Sequence, residues 1–482
     1  MKLSVLCQKI AEIPENHDLD VTGLALDSRL VKTGYLFLAC PGTHADGHDF
    51  IDIAIQKGAH AVLCEASRHI FEEVYITTKE GREVPIIAVP HLLQHIGELA
   101  AKFYGDPSAH LTVYGVTGTN GKTSVTHYLA ACLEELNTSC AVLGTVGNGF
   151  LNKLETSSHT TPNPIALQLM LAQYYKSGAQ AVAMEVSSHG LEQGRVNGVH
   201  FNTAVFTNLT RDHLDYHGTM EKYAAAKHKL FEMPGLQHAV INLDDAYGRE
   251  LMREFSTELD CYGYTISDSE YPASDIRLVQ ATNVKYTPEG IQALIYTPWG
   301  NGDVNLPLYG QFNLSNILAV ITILGIQNIA IDKIFPLIAK VHGVKGRMEL
   351  LRQIGKPTVI VDYAHTPDAL EKALQAIRVH TTGNVWCVFG CGGERDSGKR
   401  PEMGSIAEQY ANNIIVTNDN PRHENPISIA EQIVTGLKKS ALAKVILDRK
   451  EAIHYAISHA NEKDVILIAG KGHENYQQIG DE

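Results

Sequence analysis

The sequence predicts an α/β protein of three domains: a small mixed first domain, a central domain on a mostly parallel sheet, and a Rossmann-like last domain. Three observations carry this. The 482 residues exceed what one hydrophobic core commonly serves. From Leu111 onward, apolar strand candidates alternate with amphipathic helix candidates, the pattern of parallel strands covered on both faces. The alternation restarts near Pro357, after a segment, His342–Arg347, whose glycines suit a hinge.

In chain order, residues 1–89 mix short strand candidates (Tyr35–Leu38, Ala61–Leu63, Val84–Val89) with turns. Residues 90–342 hold a helix candidate from His91 to Tyr104, then strand and helix candidates by turns: Leu111–Tyr114, Ser124–Leu136, Ala141–Leu143, Pro164–Tyr175 and Ala181–Val186. Residues 343–482 supply Pro357–Val361, Val385–Phe389, Asn413–Val416 and Val465–Ile468 as strands of a separate core.

Composition narrows the function. Hydrophobic residues at 44% and charged residues at 20% fit a compact chain rather than a disordered one. Forty Lys+Arg against 54 Asp+Glu give a net charge of -14, a poor match to nucleic acid or an anionic membrane. Any phosphate must therefore be held by a local site. No apolar run approaches the ~20 residues that span a bilayer, and the opening Met1–Cys7 is short for a secretory segment, so a cytoplasmic protein is expected. The eight cysteines contain no CxxC pair, which favours reduced, buried thiols over disulfides or a zinc ribbon.

Gly115-Val116-Thr117-Gly118-Thr119-Asn120-Gly121-Lys122-Thr123 lies between a strand candidate and a helix candidate, the context of a phosphate-binding loop. Its glycines let backbone N–H groups face phosphate oxygens, Lys122 can bridge terminal phosphates, and Thr123 can offer a hydroxyl to Mg²⁺. It is a variant, because Val116 stands where the strict pattern has glycine; the plain alternative is a glycine-rich turn with an exposed lysine. Glu185 and His213 follow where strands of the central sheet should end, the side on which open α/β sheets bind ligands. His213 and His217 are spaced as a zinc pair on one helix face, but no third ligand accompanies them, so Mg²⁺ with ATP is favoured.

Thr117–Thr123, Glu185, Asn208–Asp215, Phe312–Asn316 and Gly343–Glu349 resemble, in this order and over almost the whole chain, the Mur ligases. These are ATP-dependent amide-forming enzymes of bacterial cell-wall precursor synthesis, tied to cell shape and division. The resemblance implies a uridine-nucleotide-binding first domain, a central P-loop-type ATPase domain and an amino-acid-binding last domain. Leu26–Arg29, Gly42–Gly47, Thr160–Pro162 and Ser187–Arg195 look most like the member that acts on UDP-N-acetylmuramoyl-L-alanyl-D-glutamate. By that likeness Ser28, Thr43, His44 and Ala45 face UDP, and Thr160, Thr161, Ser187, Gln193 and Arg195 hold the sugar-peptide.

Tyr223–Lys227 matches the surroundings of the family's CO₂-modified lysine, so Lys227 is implied as N6-carboxylysine, a metal ligand with Thr123, Glu185 and His213. Helical spacing alone would make it a solvated lysine beside Lys222 and Lys229. Catalysis is assigned to Lys122, Lys227, His213 and Glu185, and ATP binding to Gly118–Thr123 with Asn316, Arg347 and Asp362. Asp419–Arg422 resembles the family's signature for meso-diaminopimelate, with Gly392–Asp396 and Gly470–Glu474 beside it. The implied contacts are His365, Arg395, Asn420, Pro421, Arg422, Gly470 and Glu474, the arginines matching the carboxylate that lysine lacks. Read alone, Asp419–Arg422 is a turn signal. Mg²⁺ and ATP are the implied cofactor and co-substrate, small molecules the partners, and a monomer the expected state. The competing readings are the same ligase using L-lysine, a folylpolyglutamate synthetase-like ligase, and a catalytically silent nucleotide-binding scaffold.

Overall fold

A computed structural model describes the chain except for residues 43–44, 67–73, 78–80, 158, 268–276, 440–442 and 482, with backbone alone at 74–77. The chain forms two compact units. The first comprises Met1–Lys122, Leu136–Ala239 and Arg253–Asp260; the second comprises Thr123–Glu135, Val240–Met252 and Cys261–Glu482.

In the first unit, β1 (Gly23–Ala25), β2 (Tyr35–Ala39), β3 (Ala61–Glu65), β4 (Val74–Thr77) and β5 (Glu83–Val89) make a sheet of order β1-β2-β3-β5-β4. It is parallel except where β4 runs against β5. Residues alternate across it: Leu36, Leu38 and Leu63 meet Leu92, Ile96 and Leu99 of helix Leu92–Tyr104, while Phe37, Val62 and Cys64 meet Ala54 and Ile55 of helix Ile51–Gln56.

The same unit holds β6 (Thr112–Thr117), β7 (Cys140–Leu143), β8 (Asn148–Phe150), β9 (Lys153–Glu155), β10 (Ala181–Glu185) and β11 (Thr203–Phe206), in the order β11-β6-β10-β7-β8-β9. Pairing of β11, β6, β10 and β7 is parallel, as expected from the alternation; β8 and β9 are an antiparallel addition. Helix Pro164–Lys176 starts where Asn163 caps the Ala166 amide and Pro164 occupies the first turn.

β12 (His238–Asn242) passes from the first unit's residues into the second's. Among the second unit's strands, β13 (Asp260–Thr265), β14 (Arg277–Thr287), β15 (Gly290–Thr297) and β16 (Gly300–Leu306) follow one another, the last two pairings antiparallel. This meander departs from the parallel expectation. Its strands are half-buried and bear Lys285, Gln292 and Asn305 on their outer face, so they do not read as apolar runs. The last sheet, β17 (Glu349–Leu351), β18 (Thr358–Asp362), β19 (Val385–Phe389), β20 (Asn413–Val416), β21 (Ala443–Val445) and β22 (Val465–Ala469), has the order β17-β18-β22-β19-β20-β21. Only β17 is antiparallel, and the two faces bury separate cores around Phe389 and Leu467 and around Trp386 and Ile466.

Within this unit the chain after helix Pro367–Arg378 is locked to the β14–β15 turn by His380. Its ring is buried at 2% exposure, donates from Nδ1 to the Thr287 carbonyl at 2.8 Å, accepts the Gly310 N–H on Nε2 at 3.0 Å, and stacks on Tyr309 with centroids 3.9 Å apart. Both nitrogens are used in the neutral form, and burial first, with Arg352 nearby, lowers the pKa from 6.5. The folded chain thus binds fewer protons than the unfolded one just below that value, so this stability is complete above 6.5 and is lost as pH falls below it. The unfolding midpoint should drop between pH ~7 and ~5, and less steeply in His380→Gln; parallel curves would contradict the assignment.

Candidate active site

The phosphate loop is Gly118–Gly121, between the end of β6 and helix Lys122–Glu135. Gly118 (φ +145°) and Gly121 (φ +89°) take backbone conformations that a side chain resists. A Cβ at Gly118 would lie 1.9 Å from Thr207 Oγ1, itself bonded to the Asn120 carbonyl at 2.6 Å. Loop 207–212 clasps the turn. Thr119 N–H donates to the Asn208 carbonyl at 2.8 Å, Asn120 N–H to Asn208 Oδ1 at 2.9 Å, and Thr210 N–H to Thr119 Oγ1 at 3.0 Å.

Two lysines meet on this loop. Lys122 Nζ donates to the Gly118 and Thr119 carbonyls, both at 2.8 Å, and Lys227 Nζ to the Gly118 carbonyl at 2.9 Å. Lys227 is 1% exposed, lies 4.4 Å from the centre of the Tyr223 ring, and among the described residues forms no salt bridge. Burial pushes its pKa well below the ordinary lysine range, and the Lys122 charge pushes it further. Thr123, the second residue of that helix, is the first assigned to the second unit; its carbonyl takes the Thr126 hydroxyl at 3.0 Å.

Glu185 ends β10 and is 1% exposed. Its carboxylate accepts the Thr145 N–H at 2.9 Å and the Thr145 hydroxyl at 3.1 Å, and Thr145 Oγ1 lies 3.1 Å from Thr160 Oγ1. The Glu185 carbonyl takes the Thr161 hydroxyl at 3.0 Å, and Thr161 Oγ1 accepts the Ser187 N–H at 3.0 Å. Arg195 donates to the Thr161 carbonyl at 2.8 Å and, by two nitrogens, to Gln193 Oε1. Glu185, Thr160, Thr161, Ser187, Gln193 and Arg195 therefore form one connected network. Ser187 also caps the Gly190 amide, giving it a structural duty.

His213 sits at φ +51° before the short helix Leu214–His217, half-exposed, its ring 4.9 Å from that of His189. His217, buried, bonds Ser188 Oγ at 3.0 Å instead. The two do not share a helix face, since His213 lies outside the helix in left-handed backbone.

Two of the remaining candidates of the first unit, Ser28 and Ala45, lie in turns that follow β1 and β2. Ser28 is buried in a turn capped by Asp27, and the Ala45 carbonyl closes a turn on the Gly42 N–H. Thr43 and His44 lie outside the described residues.

In the second unit the candidates gather where β18, β22, β19 and β20 end. Asp362, the last residue of β18, accepts the Met348 N–H at 2.7 Å and the Ala364 N–H at 2.8 Å; burial raises its pKa. The Arg347 guanidinium lies 4.7 Å from the Tyr363 ring. Gly470 N–H donates to the Asp362 carbonyl at 3.1 Å. Asn420 Nδ2 lies 3.4 Å from Glu474 Oε2, and Lys471 Nζ donates to Glu474 Oε2 at 2.7 Å and to Asn420 Oδ1 at 2.8 Å.

Arg422 takes φ +51°, held by its N–H on the Gln478 carbonyl at 3.1 Å and by the Gly480 N–H on its own carbonyl at 2.8 Å; its guanidinium reaches the Gly393 carbonyl at 2.7 Å. Pro421 crowds the same loop, since a Cβ at Gly393 would meet its carbonyl at 1.9 Å. Buried Arg400 ties the two loops together, binding Glu424 with two nitrogens and the Gly392 carbonyl at 3.2 Å. That pairing pulls the Glu424 pKa down to about 2. Arg395 and His365 are exposed, His365 Nδ1 lying 2.9 Å from the Tyr363 carbonyl. Asn316 is buried in helix Gln311–Ile326, donating to Asn313 Oδ1 at 3.5 Å.

Sequence reasoning passed over Thr145, Tyr363, Asp419, Lys471 and Gln478. Thr145 shortly follows the end of β7, a signal the strand-end rule supplies, while Asp419 and Lys471 lie inside the runs Asp419–Arg422 and Gly470–Glu474.

Residues 20–104, 116–324 and 346–472 match in turn the family models described as Mur ligase family, catalytic domain; Mur ligase middle domain; and Mur ligase, glutamate ligase domain. The UDP-N-acetylmuramoyl-L-alanyl-D-glutamate--2,6-diaminopimelate ligase of Coxiella burnetii is 47% identical over 465 residues, 96% of this chain and 93% of that one. A solved structure of a ligase so named superposes with a TM-score of 0.76 at 34% identity, covering 100% of this chain and 96% of the other. Mycobacterium tuberculosis folylpolyglutamate synthase shares the fold alone, with a TM-score of 0.61 at 18% identity over 78% of this chain and 92% of that one. Fold and relatives define an acid–amino-acid ligase. The chain belongs to the Mur ligase family, with its N-terminal, central and C-terminal domains.

Because an added Cβ would collide with Thr207 Oγ1 in backbone at φ +145°, Gly118→Ala should destabilise the protein by about 2 kcal/mol and abolish binding of an ATP analogue. Wild-type melting and binding in that variant would contradict the geometry described.

Proposed function

We propose that this chain uses ATP to join an amine of meso-2,6-diaminopimelate to the side-chain carboxyl of the D-glutamate in UDP-N-acetylmuramoyl-L-alanyl-D-glutamate. What carries this reading is the gathering of Asn420, Arg422, Gly470 and Glu474 at strand ends of one sheet, in a chain whose relatives bear that name along 96% of its length. An arginine suits the second carboxylate of diaminopimelate, Glu474 its distal ammonium and the Gly470 carbonyl a further N–H. Three-domain boundaries at 1–89, 90–342 and 343–482 belong to the same reading.

The chemistry is a phosphoryl transfer followed by an acyl transfer. A carboxylate oxygen of the substrate bonds the γ-phosphorus as the bond to the ADP oxygen breaks; the amine nitrogen then attacks the acyl carbon, phosphate leaves and the nitrogen loses a proton. The protein's work is placement and charge neutralisation. The Lys122 ammonium, with loop amides other than those of Thr119 and Asn120, which Asn208 already takes, would hold the phosphates; Asn316, Arg347 and Asp362 would take the base and ribose. Thr160, Thr161, Ser187, Gln193 and Arg195 orient the peptide, and Ser28, Thr43, His44 and Ala45 the uridine nucleotide.

Mg²⁺ fits the donor chemistry. Glu185 offers a buried carboxylate already oriented by Thr145. Among the described residues no three His, Cys, Asp or Glu side chains are arranged to hold a metal, and a hard cation such as Mg²⁺ would be served by a further anionic oxygen. A buried lysine held neutral can supply it: Lys227–NH₂ would add CO₂ and release a proton, and the carbamate oxygens would join Thr123, Glu185 and His213 as the groups that would hold the ion. When bound, Mg²⁺ neutralises phosphate oxygens as charge develops. No described helix is long and apolar enough to cross a membrane; a cytoplasmic location and a monomeric state belong to the same proposal.

The test is phosphate release from ATP with UDP-N-acetylmuramoyl-L-alanyl-D-glutamate and either meso-diaminopimelate or L-lysine. Diaminopimelate should give the higher kcat/KM by about a hundredfold or more; preference for lysine would refute the assignment of Arg422. Lys227→Ala should lose activity that short carboxylates partly restore, and failure of every such acid to rescue would count against the carbamate.

A further inference from the structure

Lys471 is 6% exposed, yet neither the family likeness nor the reaction above gives it work. Its ammonium is spent on two groups of the amino-acid site, Glu474 Oε2 at 2.7 Å and Asn420 Oδ1 at 2.8 Å. Tyr363 Oη lies 3.4 Å from the other Glu474 oxygen, and the Asn420 carbonyl-type oxygen also takes the Gln478 N–H at 2.9 Å. Glu474 is thus not a bare anion waiting for a cation. It is already half of an ion pair whose lysine is buried, where a neighbouring charge is weakly screened.

We propose that Lys471 is a specificity-determining residue: by neutralising Glu474 it makes the pocket reject a substrate whose far end is a lone cation and accept one whose far end is a zwitterion. This rests on the function proposed above. The far end of diaminopimelate carries an ammonium and a carboxylate, net zero, and so adds no charge beside Lys471, Arg422 and buried Arg449. The far end of L-lysine adds one positive charge to those cations, with Asp419 and Glu474 as the anions on the same loops. Arg422 attracts the extra carboxylate; Lys471 repels the substrate lacking it. Discrimination then has an attractive and a repulsive part.

The experiment compares wild type with Lys471→Met, whose side chain is nearly the same length without charge, and with Lys471→Arg. Wild-type turnover of diaminopimelate tests the function itself and is read first. In K471M the KM for L-lysine should fall and the diaminopimelate-to-lysine ratio of kcat/KM should shrink about tenfold or more, with the KM for ATP unchanged. K471R should keep the wild-type ratio, and Glu474→Gln added to K471M should reverse the gain for lysine. K471Q, which keeps a donor for Asn420, decides the matter if K471M does not fold. An equal loss for both amino acids, or an unchanged ratio, would overturn the proposal. Binding of L-lysine and diaminopimelate measured by calorimetry, with the UDP-dipeptide and a non-hydrolysable ATP analogue present, gives the same ratio without turnover.

Discussion

A lysine buried beside a phosphate loop is the constraint around which the first unit is arranged. Lys227 has one carbonyl partner, Gly118, one aromatic face, Tyr223, and a second lysine nearby. Removing an ammonium from water costs far more than one hydrogen bond returns, and the opposing charge of Asp212 does not make up the difference, so the group is driven toward its neutral form. A neutral amine is a nucleophile, and the same burial that makes the side chain costly is what the proposed carboxylation would exploit. Loop 207–212, which ties down Thr119 and Asn120, keeps the Gly118 carbonyl where both lysines find it.

The second unit solves a different problem, the placing of charged side chains at the ends of parallel strands. Loops after β19, β20 and β22 are braced against one another by Arg400 with Glu424 and by Lys471 with Glu474 and Asn420. Arg422 is kept in left-handed backbone by bonds from Gln478 and Gly480 on both sides. Such strain persists where the surroundings over-determine it, and here they fix the position of a guanidinium.

Much of this was legible in the sequence, unevenly. Parallel strands buried on both faces, such as Val385–Phe389 and Val465–Ala469, announce themselves as apolar runs, and the phosphate loop by glycine, lysine and threonine at fixed spacing. The meander β14–β16 did not, because one face is wet and its polar residues break up the pattern. Lys227 illustrates the limit: by helical spacing it is one lysine among three, and only tertiary packing buries it while Lys222 stays exposed. Lys471 was hidden for a related reason, since a lysine in a glycine-rich run gives no sign of pairing with a glutamate three places on.

The most direct test of the account concerns the state of Lys227. Carbon-13 NMR of the protein equilibrated with labelled bicarbonate should show a carbamate resonance that Lys227→Ala abolishes and Lys222→Ala leaves intact. A spectrum without it, in protein that turns over substrate, would mean that Lys227 acts as a plain amine and would contradict the proposed carbamate.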